Sequence, residues 1–211
     1  MATSYEVHYP TVTGRADLPR MLLEVGGASY RNVFIDYAEW PVLKETKAFG
    51  KVPNLVIVES DGSRKELFET HAIDAYLAEV LDLMPGPSAF ERAQAISVLS
   101  SLYELEDKIF PVLFFPTLEA RRTAHEKHIA ETIPTYLKYH ERFVRRPYYF
   151  GDKVTVADLE LYQMYLWFEE MYRERNPLRT RADEFPKLNR IVEALAAGKA
   201  GDYARHRREF G

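Results

Sequence analysis

Two neighbouring residues, Glu69 and Thr70, place a carboxylate and a hydroxyl where a helix begins. Backbone N–H groups and the helix dipole favour an anion at such an end. Upstream, Pro53 stands directly before a short β-branched strand, and proline cannot donate to a ladder, so the Val52 backbone is open to another partner. A ligand with an ammonium and a carboxylate on one carbon would satisfy these groups. The same residues also suit a plain hairpin followed by a helix with Thr70 as its N-cap.

The composition argues against several other chemistries. No cysteine is present, so disulfides and a cysteine nucleophile are excluded, and any thiol must come from a ligand. The six histidines show no ligand spacing, and we expect no metal site. A net charge of −4 gives no reason to expect nucleic acid as a partner. No apolar run approaches the roughly 20 residues that span a bilayer, and no signal peptide is apparent. We therefore expect a globular, cytoplasmic protein without a membrane partner.

The elements that hold these residues predict an α/β domain over residues 1–82. Residues 4–9 alternate as a strand does, and a helix with one apolar face follows and stops at a pair of glycines. Residues 30–35 predict a second strand. Residues 54–58 and 66–68 flank the turn sequence Ser-Asp-Gly-Ser and predict a hairpin. With a short helical patch before the hairpin and the helix from Thr70, the order is βαβαββα.

Residues 83–88 contain two prolines and a glycine, which predicts a linker. Beyond it the helical period dominates, so residues 89–211 predict an all-helical domain. Its helices are expected at 90–110, 119–144 with a kink at Pro134, 159–172 and 186–197, and a basic, polar tail follows. Thr155 and Asp158 have the spacing of a capping box, which serves folding rather than chemistry.

Several stretches resemble the cytosolic glutathione transferases. FGKVPNL (49–55) and ETHAIDAYL (69–77) look like the family's glutathione-binding half, and GDKVTVADLELY (151–162) looks like its buried helix start. YPTVTGR (9–15) resembles the start of the tyrosine-type members, most of all the sigma class. The resemblance implies a thioredoxin-like, glutathione-binding domain over 1–82 and an all-helical domain over 89–211 that forms the second-substrate site.

The resemblance also implies residue roles. In tyrosine-type members the tyrosine hydroxyl hydrogen-bonds the glutathione sulfur and a nearby arginine assists, so Tyr9 and Arg15 take the catalytic positions. Ser4 and Thr11 are nearby hydroxyls, and a serine-type enzyme is the alternative. The glutathione contacts implied besides Tyr9 are Trp40, Lys44, Lys51, Val52, Pro53, Glu69 and Thr70.

The second substrate and the assembly follow from the same resemblance. We expect the electrophile to lie against a wall built from Val12, Thr13, Tyr103, Phe110, Phe114 and Phe210. The helix over 90–110 has apolar residues on more faces than one neighbour covers, and the family pairs it across a two-fold axis, which predicts a homodimer. Glu104 falls where the neighbouring subunit contributes an acid.

The intact Tyr9 and Arg15 pair predicts an enzyme rather than a scaffold. The predicted activity is a glutathione transferase that activates the thiol of its co-substrate for attack on small apolar electrophiles, as in detoxification. Two alternatives remain open: an isomerase that uses glutathione as a recycled cofactor, as prostaglandin synthases do, and a glutathione-binding or scaffold protein with little catalysis.

Overall fold

The computed structural model of the chain describes residues 2–207. They divide into two compact units, which we call unit 1 (residues 2–83 and 196–207) and unit 2 (residues 84–195). Unit 1 contains a four-stranded sheet with helices, and unit 2 is helical. The predicted fold class, a βαβαββα thioredoxin-like domain followed by an all-helical domain, is confirmed.

The sheet of unit 1 has four strands, and helices lie between and after them. The elements are β1 (Ser4–Tyr9), α1 (Asp17–Gly26), β2 (Tyr30–Phe34), α2 (Trp40–Leu43), β3 (Asn54–Val58), β4 (Arg64–Phe68) and α3 (Thr70–Val80). The strand order is β2–β1–β3–β4. Strands β1 and β2 are parallel, because helix α1 crosses between them, whereas β1–β3 and β3–β4 are antiparallel. The β3–β4 pair is the predicted hairpin, with Asn54 opposite Phe68.

Helix α1 buries the face that its apolar spacing predicts. Leu18, Met21 and Leu22 are fully buried, and they pack in the same core as Val7 of β1. The helix ends at Gly27, whose φ of 69° gives the left-handed C-cap. This fixed start and end place the first turn of α1 directly after the loop that follows β1.

The end of the described chain differs from the predicted polar tail. Residues Lys199–His206 form a helix, α10, which packs against α1 within unit 1. Ala200 and Tyr203 are buried at i, i+3 spacing, while basic residues occupy the other face. An eight-residue segment with only one narrow apolar face gives too short a pattern to stand out in the sequence.

Unit 2 contains the predicted long helices with shifted bounds. The helices are α4 (Ala89–Ile109), α5 (Leu118–Lys127), α6 (Ile133–Phe143), α7 (Val156–Tyr172), α8 (Pro177–Thr180) and α9 (Pro186–Ala196). Helix α4 packs against α7, and the buried side chains of these two helices include Leu99, Leu102 and Phe168. A π-helical turn, His128–Thr132, separates α5 from α6 and precedes Pro134, where the sequence predicts a kink.

The start of α7 is the predicted capping box. Thr155 donates to Asp158 Oδ2 twice, from its backbone nitrogen at 2.8 Å and from its hydroxyl at 2.7 Å. The backbone nitrogen of Tyr149 donates to Asp158 Oδ1 at 2.8 Å. Both Thr155 and Asp158 are fully buried, so these bonds fix the chain where α7 enters the core. Among residues 2–207, no helix has the length and apolar character needed to cross a membrane.

Candidate functional site

An open cavity of about 310 Å³ lies in unit 1 at the end of β1. This volume is at the lower end of the range of small-ligand sites. Four residues that the sequence predicts as site residues line it together: Tyr9, Trp40, Lys51 and Val52. The remaining lining residues are Pro10, Tyr37 and Gly50. The structure therefore brings together side chains that are up to 43 positions apart, from Tyr9 to Val52.

The cavity residues come from three connections of the sheet. Tyr9 is the last residue of β1, and Trp40 is the first residue of α2. Val52 precedes Pro53 through a cis peptide bond and leads into β3. Gly50 has a φ of 61°, and a Cβ built on it would lie 3.2 Å from Lys44 Cε. Lys44 therefore packs over Gly50 and lies beside the cavity lining.

Glu69 and Thr70 lie at the start of α3, but their roles there differ from the prediction. Thr70 is not the N-cap; it is the first helical residue, and Glu69 holds the N-cap position with a φ of 65° and without a side-chain capping bond. The carboxylate of Glu69 turns instead to Lys51, whose ammonium lies 3.4 Å from Glu69 Oε1. This ion pair joins the helix start to a residue that lines the cavity.

The hydroxyl of Tyr9 lies against Gly14. A Cβ built on Gly14 would be only 2.9 Å from Tyr9 Oη, and Gly14 has a φ of 150°. A larger residue at position 14 would meet both the hydroxyl and a strained backbone, so the glycine of the Gly-Arg motif is needed here. Arg15 follows it and is half-buried.

A buried cation lies beside the Tyr9 ring. Arg20 is 2% exposed, and its guanidinium carbon lies 5.8 Å from the ring centroid. Its Nε donates to Asn32 Oδ1 at 2.8 Å, and its Nη1 lies 3.7 Å from Asp17 Oδ1. Neither Arg20 nor Asp17 lines the cavity, and neither is among the residues predicted from the sequence. The available signal was an acid and a base at i, i+3 on the buried face of a helix.

Tyr37 was also missed. It lines the cavity, is 63% exposed and lies between β2 and α2. One tyrosine among fourteen, in a connection without a regular pattern, carries no distinguishing signal in the sequence.

The predicted second-substrate wall draws on both units and remains a prediction. In unit 1, Val12 is exposed and Thr13 is half-buried. In unit 2, Tyr103 is buried, and Phe110 stacks on Trp167 at 5.8 Å and meets Phe114 edge-on at 5.3 Å. Phe210 lies outside the described residues.

Two further predictions concern the surface and metals. Glu104 is exposed and forms an ion pair of 2.6 Å with Lys108 in its own helix. Within residues 2–207, no three carboxylate or imidazole side chains are grouped so that they could hold a metal ion.

Two family models match the chain. The model of the glutathione S-transferase N-terminal domain matches residues 6–79. The model of the glutathione S-transferase C-terminal domain matches residues 103–200. Together they span the cavity, α1 and most of unit 2.

Curated relatives and solved structures agree with these matches. The chain is 28% identical to hematopoietic prostaglandin D synthase of Gallus gallus over 202 residues, 92% of either chain. It is 27% identical to glutathione S-transferase S1 of Drosophila melanogaster over 196 residues, 92% of this chain and 74% of that one. A sigma class glutathione S-transferase of Fasciola hepatica has the same fold, with a TM-score of 0.82, 21% identity and 97% of each chain covered. So does a monomeric glutathione S-transferase of Necator americanus, with a TM-score of 0.78, 22% identity and the same coverage.

Proposed function

Since the chain belongs to the glutathione S-transferase family, we propose that it binds glutathione in the unit 1 cavity and activates its thiol with Tyr9. Its activity is that of a glutathione transferase, the name carried by relatives such as the Drosophila melanogaster enzyme. The observation that carries the assignment of residues is the shared cavity. One cavity large enough for a small ligand is lined by four residues predicted from the sequence: Tyr9, Trp40, Lys51 and Val52.

Each part of the tripeptide has a matching group. The backbone of Val52 pairs with the cysteinyl residue, as an added strand would, beside Pro53. Trp40 and Lys44 bind the glycine carboxylate, one by its indole N–H and the other by its charge. The γ-glutamyl carboxylate binds the Thr70 hydroxyl and the first amides of α3.

The γ-glutamyl ammonium binds Glu69. In the structure that carboxylate is 3.4 Å from the Lys51 ammonium, with both side chains partly exposed. An exposed pair of this length contributes little. The ligand's ammonium therefore replaces Lys51 at a small cost, and Lys51 becomes available to a second carboxylate of glutathione.

The chemistry is the stabilisation of a thiolate. A free thiol has a pKa of about 8.5, so only a few per cent is nucleophilic at neutral pH. A phenol that donates a hydrogen bond to the sulfur favours the charged form and lowers the thiol pKa. The guanidinium of Arg15 adds positive charge on the Tyr9 side of the cavity, and that of Arg20, 5.8 Å from the Tyr9 ring centroid, strengthens the phenol as a donor. The chain has no cysteine of its own to compete for the electrophile.

The second substrate is a small apolar electrophile, held by the predicted wall, and the role is detoxification in the cytoplasm. An isomerisation with recycled glutathione is the second candidate, because a relative that spans 92% of the chain is named a prostaglandin D synthase. Both reactions use the same thiolate. A panel of electrophiles and endoperoxides separates them by whether glutathione is consumed.

Replacement of Tyr9 by phenylalanine tests the proposal. The ring still packs, so calorimetry should give nearly the same Kd for glutathione. The lost hydrogen bond is strongest to the thiolate and to the transition state, so kcat/KM should fall about 30- to 1,000-fold. The absorbance of the bound thiolate should appear at higher pH.

The controls are Ser4→Ala and Thr11→Val, which remove the alternative hydroxyls and should leave kcat/KM and the thiol titration nearly unchanged. A Tyr9→Phe enzyme with unchanged turnover and thiol titration would remove Tyr9 from the mechanism.

We also propose a homodimer formed through α4. Phe90 is 72% exposed and Ile96 36% exposed on this helix, as unpaired apolar residues of an interface would be. Sedimentation should give twice the chain mass of 24.5 kDa at micromolar concentration. A single 24.5 kDa species would contradict the dimer. The structural neighbour from Necator americanus is described as monomeric.

A further inference from the structure

Asp17, in the first turn of α1, is the centre of a buried polar cluster in unit 1. The side chain is almost fully buried, at 2% exposure. Its Oδ2 accepts from the Gly14 backbone nitrogen at 3.0 Å and from Arg207 Nη1 at 3.2 Å. Its Oδ1 accepts from the Tyr203 hydroxyl at 2.7 Å and lies 3.7 Å from Arg20 Nη1. One carboxylate therefore joins the loop after β1, helix α1 and helix α10.

Two of these contacts lead to Tyr9. The Gly14 amide that Asp17 holds belongs to the residue against which the Tyr9 hydroxyl lies, with 2.9 Å between Tyr9 Oη and an added Cβ. Arg20 lies beside the Tyr9 ring at 5.8 Å, and its Nη2 has no hydrogen-bond partner among the described residues. Asn32 and Asp17 are thus the anchors that keep this guanidinium beside the ring.

The other two contacts come from the last helix and the residue after it. Tyr203 is buried, and burial, with the charge of Asp17 as the next cause, raises the pKa of its phenol, so it remains a donor. Arg207 is 7% exposed and brings a second guanidinium to the cluster. The cluster holds two guanidinium groups and one carboxylate, and it keeps a positive charge on the side of Tyr9.

We propose that Asp17 is a positioning residue for Tyr9 and that α10 supports it through Tyr203. The inference rests on the proposed role of Tyr9. Asp17 acts in two ways: it fixes the Gly14 loop against the hydroxyl, and it holds Arg20 where positive charge strengthens the phenol as a donor to a thiolate. A shift of the loop by about 1 Å would weaken a bond that must meet the sulfur at one geometry.

Asp17→Asn keeps the size and one acceptor but removes the charge that anchors Arg20. We expect kcat/KM to fall about 10- to 100-fold, the Kd for glutathione to stay within about threefold, and the bound thiol to titrate at higher pH. In a Tyr9→Phe background the same change should cause little further loss, because Asp17 acts through the hydroxyl. Losses that multiply would show that Asp17 acts independently of Tyr9 and would overturn the inference.

Tyr203→Phe provides a milder variant, since it removes only the hydroxyl that donates to Asp17. We expect a loss of about 3- to 10-fold in kcat/KM, with the same shift of the thiol titration. The matched control is Tyr149→Phe, which removes another buried tyrosine hydroxyl, one that lies 2.7 Å from His140 Nδ1 in unit 2 and takes no part in the Asp17 cluster. It should leave kcat/KM within about twofold.

The outcomes separate this inference from the proposed function. If Tyr9→Phe leaves kcat/KM and the thiol titration unchanged, both the proposed role of Tyr9 and this inference are overturned. An active-site effect of Tyr9→Phe together with a silent Asp17→Asn and a silent Tyr203→Phe overturns only the inference. If Asp17→Asn does not fold, Tyr203→Phe and its double mutant with Tyr9→Phe decide the question.

Discussion

Asp17 in unit 1 and Asp158 in unit 2 are two buried carboxylates with the same local arrangement. Each lies in the first turn of a helix and accepts from the backbone amide three residues earlier, Gly14 at 3.0 Å and Thr155 at 2.8 Å. Their other partners differ. Asp158 accepts from groups within nine residues, all of them neutral. Asp17 meets two guanidinium groups and a tyrosine, two of these three some 190 positions away. The local, neutral partners of Asp158 serve folding. The distant or charged partners of Asp17 instead connect the start of α1 to residues beside Tyr9.

The difference has an electrostatic consequence. No cation is bonded to Asp158 in the contacts of the described residues, and burial raises its pKa to about 6 although the N–H donors act to lower it. Asp17 instead shares its burial with opposite charges, which offset part of the cost of removing it from water. The charged form of Asp158 is therefore buried without a balancing cation, whereas the charge of Asp17 holds two guanidinium groups beside it.

Asp158→Ala should give the largest effect on stability. Two buried backbone amides and the Thr155 hydroxyl would lose their acceptor, and each unsatisfied buried donor costs about 1–3 kcal/mol. We expect the free energy of unfolding to fall by about 3–5 kcal/mol, measured by denaturant titration. The titration of bound glutathione should not move. A shifted thiol titration in the folded variant would break the comparison, because Asp158 would then act on the site as Asp17 does.

The pH dependence of the same residue provides a control. The folded pKa of about 6 is above the ordinary value of 3.8, so the folded state holds a proton that the unfolded state releases between these values. This contribution to stability is fully present below pH 3.8 and is lost as the pH rises through about 6. Asp158→Asn lacks the titration. Between pH 4 and pH 6, the free energy of unfolding of this variant should therefore rise by about 1–3 kcal/mol relative to that of the wild type.

The two carboxylates also show what a sequence can and cannot predict. Thr155 and Asp158 were predictable because the capping box is a pattern over four residues, and the βαβαββα order follows from periods of similar length. The link from Asp17 to Tyr203 has no local pattern, since the two residues are 186 positions apart and only packing of α10 on α1 joins them.

The candidate site divides in the same way. Tyr9, Trp40 and Val52 could be predicted because the resemblance to a family implies a glutathione contact at each of these positions. Arg20 and Tyr37 lie between those positions. The predicted cap at Thr70 was wrong because Glu69 adopts a positive φ of 65°, a backbone choice that residue types alone do not reveal.

Two glycines provide the finest test of the comparison between the units. Gly14 in unit 1 and Gly151 in unit 2 have φ values of 150° and 114°, so alanine would be strained at either position, at about 1–3 kcal/mol of stability. A Cβ at Gly151 would meet nothing within 4 Å, whereas a Cβ at Gly14 would lie 2.9 Å from Tyr9 Oη. Both variants should carry backbone strain, but only Gly14→Ala pushes the hydroxyl from its place. We expect Gly14→Ala to lower kcat/KM about tenfold, roughly 1.4 kcal/mol, with little change in the Kd for glutathione.

Gly151→Ala is the control, and it should lose stability while it retains wild-type turnover and thiol titration. Equal losses of turnover in the two variants would mean that the effect at Gly14 is strain alone, and that the loop after β1 does not position Tyr9.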